Sequence, residues 1–312
     1  MNIEELIEKF KQGNIRALGK AITIVENDLE NSDFLLEKIA NKTKKSQVVG
    51  FTGSPGAGKS SLIDSLVSTL RKNNLTVGVI AIDPSSPFTG GAILGDRIRM
   101  IQHSTDKGVF IRSMANRGQT GGLSVATKKA IKVLSSFGFD LIIIETVGTG
   151  QTEIDIIKTA DTVVVVQNPE TGDGIQAIKA GIMEIADIFV VNKSDLKGAN
   201  IAKMTLEASI HEATKKSDWD IPVVMTSSVK NEGLEALFDK IRNHFDFLNN
   251  SGELEKRRFE QTKSEIISIL EEKIKHYLNY KLKENNFSDI IKQACNQEIS
   301  VNNAVNQLFK KL

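Results

Sequence analysis

The chain has 312 residues, 40% hydrophobic and 25% charged, with a net charge of +1, so it can bury a large core but has no global field for nucleic acid or an anionic membrane. One cysteine, Cys295, excludes an internal disulfide and a cysteine-rich metal cluster. No apolar run approaches the roughly 18 residues of a membrane span, and the acidic start Met1-Asn2-Ile3-Glu4-Glu5 lacks a signal-peptide core, so a cytoplasmic location is expected.

Residues 1–45 carry three apolar stripes at helical spacing: Ile3, Leu6, Ile7 and Phe10; Leu18, Ile22 and Val25; Phe34, Leu35, Leu36 and Ile39. Gly13-Asn14 and Asn31-Ser32-Asp33 supply the breaks and caps. An N-terminal helical extension is expected, with Lys42-Thr43-Lys44-Lys45 as a solvated lead-in to the next element.

Val48-Val49-Gly50-Phe51-Thr52 is short, apolar and β-branched, which predicts a buried strand. Gly53-Ser54-Pro55-Gly56-Ala57-Gly58-Lys59-Ser60 follows and fits the phosphate-loop pattern G-x-x-x-x-G-K-[ST] at every fixed position, with Ser61 continuing it. Leu62, Ile63, Leu66, Val67 and Leu70 then recur at helical spacing. The glycines let several N–H groups converge on one anion-binding concavity. A helix starting near Lys59 adds its positive dipole end. Lys59 is expected to reach the β- and γ-phosphates, and Ser60 to offer its hydroxyl to Mg2+.

Residues 76–83 predict a second buried strand, hence a right-handed parallel crossover. Further strands are expected at 109–112, 140–145, 162–167, 188–192 and 222–226, with helices at about 120–137, 175–185, 201–217 and 233–248. The alternation predicts an α/β fold, a phosphate-loop NTPase with a mostly parallel sheet, over residues 46–248. From 249 to 312 no strand appears. Charged amphipathic helices are expected at 255–280 and 286–312, with Ile266, Ile269, Leu270 and Ile274 on one face. That stripe must pack on the core or on another subunit, and a helical dimerisation arm is the preferred reading.

Ligands of open α/β sheets bind beyond the carboxyl ends of the strands, and those ends are polar here. Asp83 closes the second strand and leads into a long Gly-, Pro- and Ser-rich loop that ends at Asp96. Glu145 ends the strand Leu141-Ile142-Ile143-Ile144, where a carboxylate can sit near Mg2+, and Gly148 follows at a place where a backbone N–H could approach a γ-phosphate. Asn192-Lys193-Ser194-Asp195 fits the guanine-reading pattern N-K-x-D. A carboxylate at its end can accept from both the ring N–H and the exocyclic amine of guanine. Adenine lacks that amine, so the mismatch discriminates. Ser227-Ser228-Val229, after the next strand, would contact the base from its other side.

These strings, with the loop Thr89-Gly90-Gly91-Ala92-Ile93-Leu94-Gly95-Asp96, Glu145-Thr146-Val147-Gly148 and Gln151, resemble the MeaB/ArgK-like GTPases, the methylmalonyl-CoA mutase-associated chaperones once called lysine/arginine/ornithine transport ATPases. The resemblance covers nearly the whole chain, including Arg16-Ala17-Leu18 and Lys256-Arg257-Arg258. It implies a homodimeric G protein that binds GTP and GDP, with Mg2+ on Ser60 and with Asp83, Asp96 and Glu145 in the metal shell or switch network. It also implies a mobile loop at 169–179 in which Asp173, Gln176 and Lys179 relay nucleotide state. Lys59, Gln151 and Lys179 are then the candidate hydrolytic residues. The chain departs from the family pattern at Asn116-Arg117-Gly118-Gln119, which bears on partner specificity.

The expected function is a GTPase that gates cofactor loading of an adenosylcobalamin-dependent acyl-CoA mutase and protects it. Hydrolysis alone should be slow, because no arginine finger or general base is evident. One alternative is a nickel-insertion GTPase, which needs clustered Cys or His. The four histidines, His103, His211, His244 and His276, are scattered. A kinase or transport-associated NTPase is the other, against which the guanine motif argues.

Overall fold

The computed structural model describes residues 2–27, 29–40, 46–84, 101–116, 125–146, 155–169, 183–213, 218–281 and 285–310. The chain divides into two compact units, Met1–Glu260 and Gln261–Leu312.

The first unit is built on a seven-stranded sheet. Its strands are β1 (Gln47–Gly53), β2 (Val77–Pro84), β3 (Val109–Asn116), β4 (Leu141–Glu145), β5 (Thr162–Gln167), β6 (Ile188–Val191) and β7 (Val223–Met225), in the order β3-β2-β4-β1-β5-β6-β7. Every strand pairing is parallel. Parallel sheets must be covered on both faces, and the side-chain alternation of period two feeds two separate cores. Ile142, Ile144, Val163 and Val165 enter one core, with Leu18, Ile22, Leu35 and Leu134. Ile143, Val164, Val166, Val49 and Phe51 enter the other, with Leu62, Leu66, Leu237 and Ile241.

Helices α1 (Ile3–Lys11), α2 (Ile15–Glu26) and α3 (Ser32–Ile39) cover the first face with α5 (Val125–Phe137) and α6 (Ala199–Ala213), while α4 (Lys59–Lys72) and α7 (Leu234–Ser251) cover the second. The expected break at Gly13-Asn14 is real: Asn14 caps α2 by accepting from the N–H groups of Arg16 and Ala17. Asn31 opens α3 in a left-handed conformation without a side-chain cap. Arg112 on the edge strand β3 pairs with Glu26 of α2, fixing that helix layer to the sheet.

The N-terminal ends of the strands are held by a second set of charges. Asp161 and Asp187 immediately precede β5 and β6, and they accept from the backbone N–H groups of Val48 (2.9 Å) and Val163 (2.8 Å). Arg257 and Arg258, at the start of α8 (Glu253–Lys281), each make a bidentate pair: Arg257 with Asp187 at 2.9 and 3.0 Å, Arg258 with Asp161 at 2.9 and 2.8 Å. Burial pushes the Asp187 carboxyl up, but His244 and Arg257 outweigh it and hold it below its ordinary value.

The expected strand at 109–112 extends to Asn116, because all eight residues pair with β2. The helix expected at 201–217 starts two residues earlier, at Ala199. The expected helix at 175–185 lies mostly outside the described residues. The single helix expected over 286–312 is two, α9 (Asn285–Cys295) and α10 (Val301–Phe309). Gln297 has φ +60° and Ser300 caps α10 by accepting from the Asn303 N–H, so the chain turns between them. In this second unit Phe287, Ile290 and Ala304 are buried, whereas Ile266, Leu270 and Ile274 on α8 are each more than half exposed.

Candidate functional site

The site grows from the carboxyl end of β1. Gly53 leaves the sheet at φ +133°, and a Cβ there would stand 2.0 Å from Val166 O, so only glycine lets the loop lie this close to β5. Gly58 opens α4 at φ +84°. No side chain caps that helix. The positive end of its dipole favours an anion at this first turn.

Lys59 is buried and folds back over the loop. Its ammonium donates to Gly53 O at 2.8 Å and Ser54 O at 3.0 Å. The Ser60 hydroxyl donates to Glu145 Oε1 at 2.6 Å, across 85 residues of sequence, and both residues are buried. The predicted hydroxyl–carboxylate pair is thus brought together. It offers hard oxygen donors of the kind Mg2+ takes. Asp83 lies two residues beyond Ala81, whose register partner is Glu145, and β2 runs one residue past it to Pro84; its side chain lies outside the described residues. So do Asp96, Gly148, Gln151 and Lys179. Pro55, Gly56 and Ser61 are exposed, and Ala57 is buried beneath the loop.

The N-K-x-D segment hangs from the same loop. Asn192 is 1% exposed; its amide donates to Ala57 O at 2.9 Å and Gly58 O at 3.3 Å. Its carbonyl oxygen accepts from the hydroxyls of Thr226 and Ser228, both at 3.1 Å. Lys193 is left-handed at φ 58°, which costs about 1–2 kcal/mol for a residue with a Cβ. The turn brings the Ser194 N–H to Thr226 O at 2.9 Å. Asp195 is exposed and accepts from the Ser227 hydroxyl at 2.5 Å. That hydroxyl, then the residue's own backbone N–H, hold its carboxyl below the ordinary value, so it is an acceptor at neutral pH. Val229 is 88% exposed, on a loop closed by the Ser227–Glu232 bridge.

Two residues of the site were not singled out from sequence. Gln167 ends β5 and accepts from the Ser54 hydroxyl at 3.1 Å; Asn168 follows, its amide 3.5 Å from Gly56 O. Their signal is two amides closing an otherwise apolar strand. The histidines behave as packing residues where buried. His103 lies 3.1 Å from Asp64 O, and His244 lies 2.9 Å from the Thr162 hydroxyl. His211 and His276 are exposed.

Comparison with known proteins places this geometry. A Pyrococcus abyssi chain whose name assigns it to the GTPases is 49% identical over 313 residues, covering 99% of this chain and 97% of its own. The GTPase ArgK of Escherichia coli is 34% identical over 286 residues, covering 88% and 86%. The crystal structure of a LAO/AO transport system kinase superposes with a TM-score of 0.75 at 26% identity, covering 99% of this chain and 98% of that one. The family model for the methylmalonyl-CoA mutase-associated GTPase MeaB matches residues 18–283, and the chain belongs to that family of GTPases.

Proposed function

We propose that this chain is a Mg2+-dependent GTPase that serves as a G-protein chaperone for an adenosylcobalamin-dependent acyl-CoA mutase, gating cofactor loading and protecting the enzyme. The observation that carries the nucleotide reading is the strut from Asn192 to Ala57 and Gly58. It holds a base-reading carboxylate at a fixed offset from a phosphate cradle. The mutase reading rests on family membership.

In this account the phosphates of GTP lie on the N–H groups of residues 53–61, and Lys59, steadied by the carbonyls of Gly53 and Ser54, directs its ammonium to the β- and γ-phosphates. Asp195 accepts from the guanine N–H and amine, while Ser227, Ser228 and Val229 flank the base. Ser60 and Glu145 would hold Mg2+, and Asp83 and Asp96 are assigned to its metal shell or switch network; the ion would neutralise phosphate charge. Gly148, Gln151 and Lys179 are the proposed switch and hydrolytic residues. Slow intrinsic turnover, stimulated when the mutase orders these loops, is expected because the sequence shows no evident general base. A homodimer in the cytoplasm, joined through 249–312, completes the reading.

A nickel-delivery role is the weaker alternative. Among the described residues no group of three or more His, Cys, Asp or Glu could hold a metal ion. A membrane-transport role finds no helix among them long and apolar enough to cross a membrane. The test is turnover of purified adenosylcobalamin-dependent mutases in the presence of this protein with GTP or GDP. Slower inactivation of methylmalonyl-CoA mutase, together with faster GTP hydrolysis, is expected; no effect on any acyl-CoA mutase would refute the chaperone role.

A further inference from the structure

We propose that Ser54 and Gln167 form a positioning pair that aims Lys59 at the incoming phosphates. The inference rests on the GTPase reading above and adds a residue, Gln167, from outside the phosphate-loop motif.

Ser54 makes three bonds, one of them from the Ala57 N–H to its carbonyl at 3.2 Å. Its hydroxyl donates to Gln167 Oε1 at 3.1 Å, and its carbonyl accepts from Lys59 Nζ at 3.0 Å. The neighbouring carbonyl of Gly53 holds the same ammonium at 2.8 Å. Orientation of the peptide after Ser54 is therefore held jointly by the Ala57 N–H and by the anchor of the Ser54 side chain. That anchor is rigid. Gln167 is 5% exposed, is the last residue of β5, and is paired in register with Val191 of β6. Gly53 lies against the preceding residue, Val166, so closely that no Cβ fits. The first turn of the phosphate loop is thus fixed to β5 at two successive residues, one by backbone contact and one by a side-chain bond. Without the side-chain bond, only the Ala57 N–H at 3.2 Å fixes the Ser54 carbonyl, and one of the two aiming points of the ammonium is held less firmly.

An ammonium is a point charge whose effect on the β- and γ-phosphates falls steeply with misplacement. Gln167 touches no nucleotide in this account. It acts through Ser54, so its loss should appear in the chemical step and in GTP binding more than in guanine choice.

The experiment compares full-length wild type, S54A, S54T, Q167L and the double variant S54A/Q167L. Single-turnover GTP hydrolysis, the ratio of GTP to GDP affinity, the ratio of GTP to ATP affinity and the thermal midpoint are measured for each. S54A and Q167L should each lower the hydrolysis rate about tenfold, the scale expected when a catalytic group is slightly misaimed. The double variant should be no worse than the worse single, because both remove one bond. S54T should recover most of the S54A loss, and the GTP-over-ATP ratio should stay at the wild-type value in all four. Unchanged hydrolysis in S54A, multiplied losses in the double variant, or S54T as slow as S54A would overturn the pair. If a variant fails to fold, its thermal midpoint shows it, and the remaining single against S54T decides. A wild type that takes ATP as readily as GTP overturns the underlying guanine reading instead; the pair is then judged on hydrolysis of the nucleotide the wild type accepts.

Discussion

The side-chain amide of Asn192 donates to the carbonyl oxygen of Ala57 at 2.9 Å, so the loop that carries Asp195 hangs from the phosphate loop itself. A Cβ on Gly58 would stand 2.6 Å from that same amide nitrogen, which makes glycine obligatory at the closest point of the contact. Asn192→Ala removes the strut and leaves the buried Ala57 carbonyl and the Thr226 hydroxyl without it. An unsatisfied buried group costs about 1–3 kcal/mol, and calorimetry should show GTP binding weakened about ten- to hundredfold by that loss.

The Ser60–Glu145 contact at 2.6 Å gives the proposed Mg2+ site its first two oxygens. Chelating Mg2+ with EDTA should weaken GTP binding to the wild type at least about tenfold. In Ser60→Ala the difference between Mg2+ and EDTA should shrink to about twofold, since the hydroxyl ligand is gone. Titration with a fluorescent GTP analogue, with and without the metal, reads both.

Asp187 is held below its ordinary value, so its contribution has a definite pH dependence. Its stabilising effect is fully present above the unfolded-state pKa of about 3.9 and is lost as the pH falls through the lower folded value. Asp187→Asn leaves Arg257 without its carboxylate and should destabilise the protein at pH 7 by about 3 kcal/mol. Urea unfolding at pH 7 and again below pH 4 should show that gap closing in acid.

The exposed stripe Ile266, Leu270 and Ile274 is where the proposed dimer is most vulnerable. Leu270→Asp and Ile274→Asp place carboxylates in any apolar interface built on it. Sedimentation velocity should show the wild type as a dimer and the double variant as a monomer with an unchanged thermal midpoint.

Much of this was legible in the sequence because strands covered on both faces read as continuous apolar runs and the helices between them repeat at period 3.6. The strand 162–167 is found at its predicted bounds, and the Gly53-to-Ser60 and Asn192-to-Asp195 strings arrive at one end of one sheet. What escaped was long-range. Gln167 looked like the end of an apolar run, and nothing local says that it meets Ser54 113 residues earlier. The split between α9 and α10 escaped because Asn296 to Ser300 contains no Gly or Pro; a left-handed Gln297 does the turning. Arg257 and Arg258 read as part of a charged tail, and only the fold shows them clasping Asp187 and Asp161.

The most direct measurement of the central claim is the binding of GTP, ATP and XTP to wild type and Asp195→Asn. The carboxylate account predicts that wild type prefers GTP over ATP by at least about a hundredfold, the discrimination that an unpaired polar group provides. The substitution puts an amide where the carboxylate stood, and that amide can donate to the xanthine carbonyl, so the variant should lose GTP and gain XTP. An unchanged GTP preference in the variant would contradict the account and leave the guanine assignment without its reader.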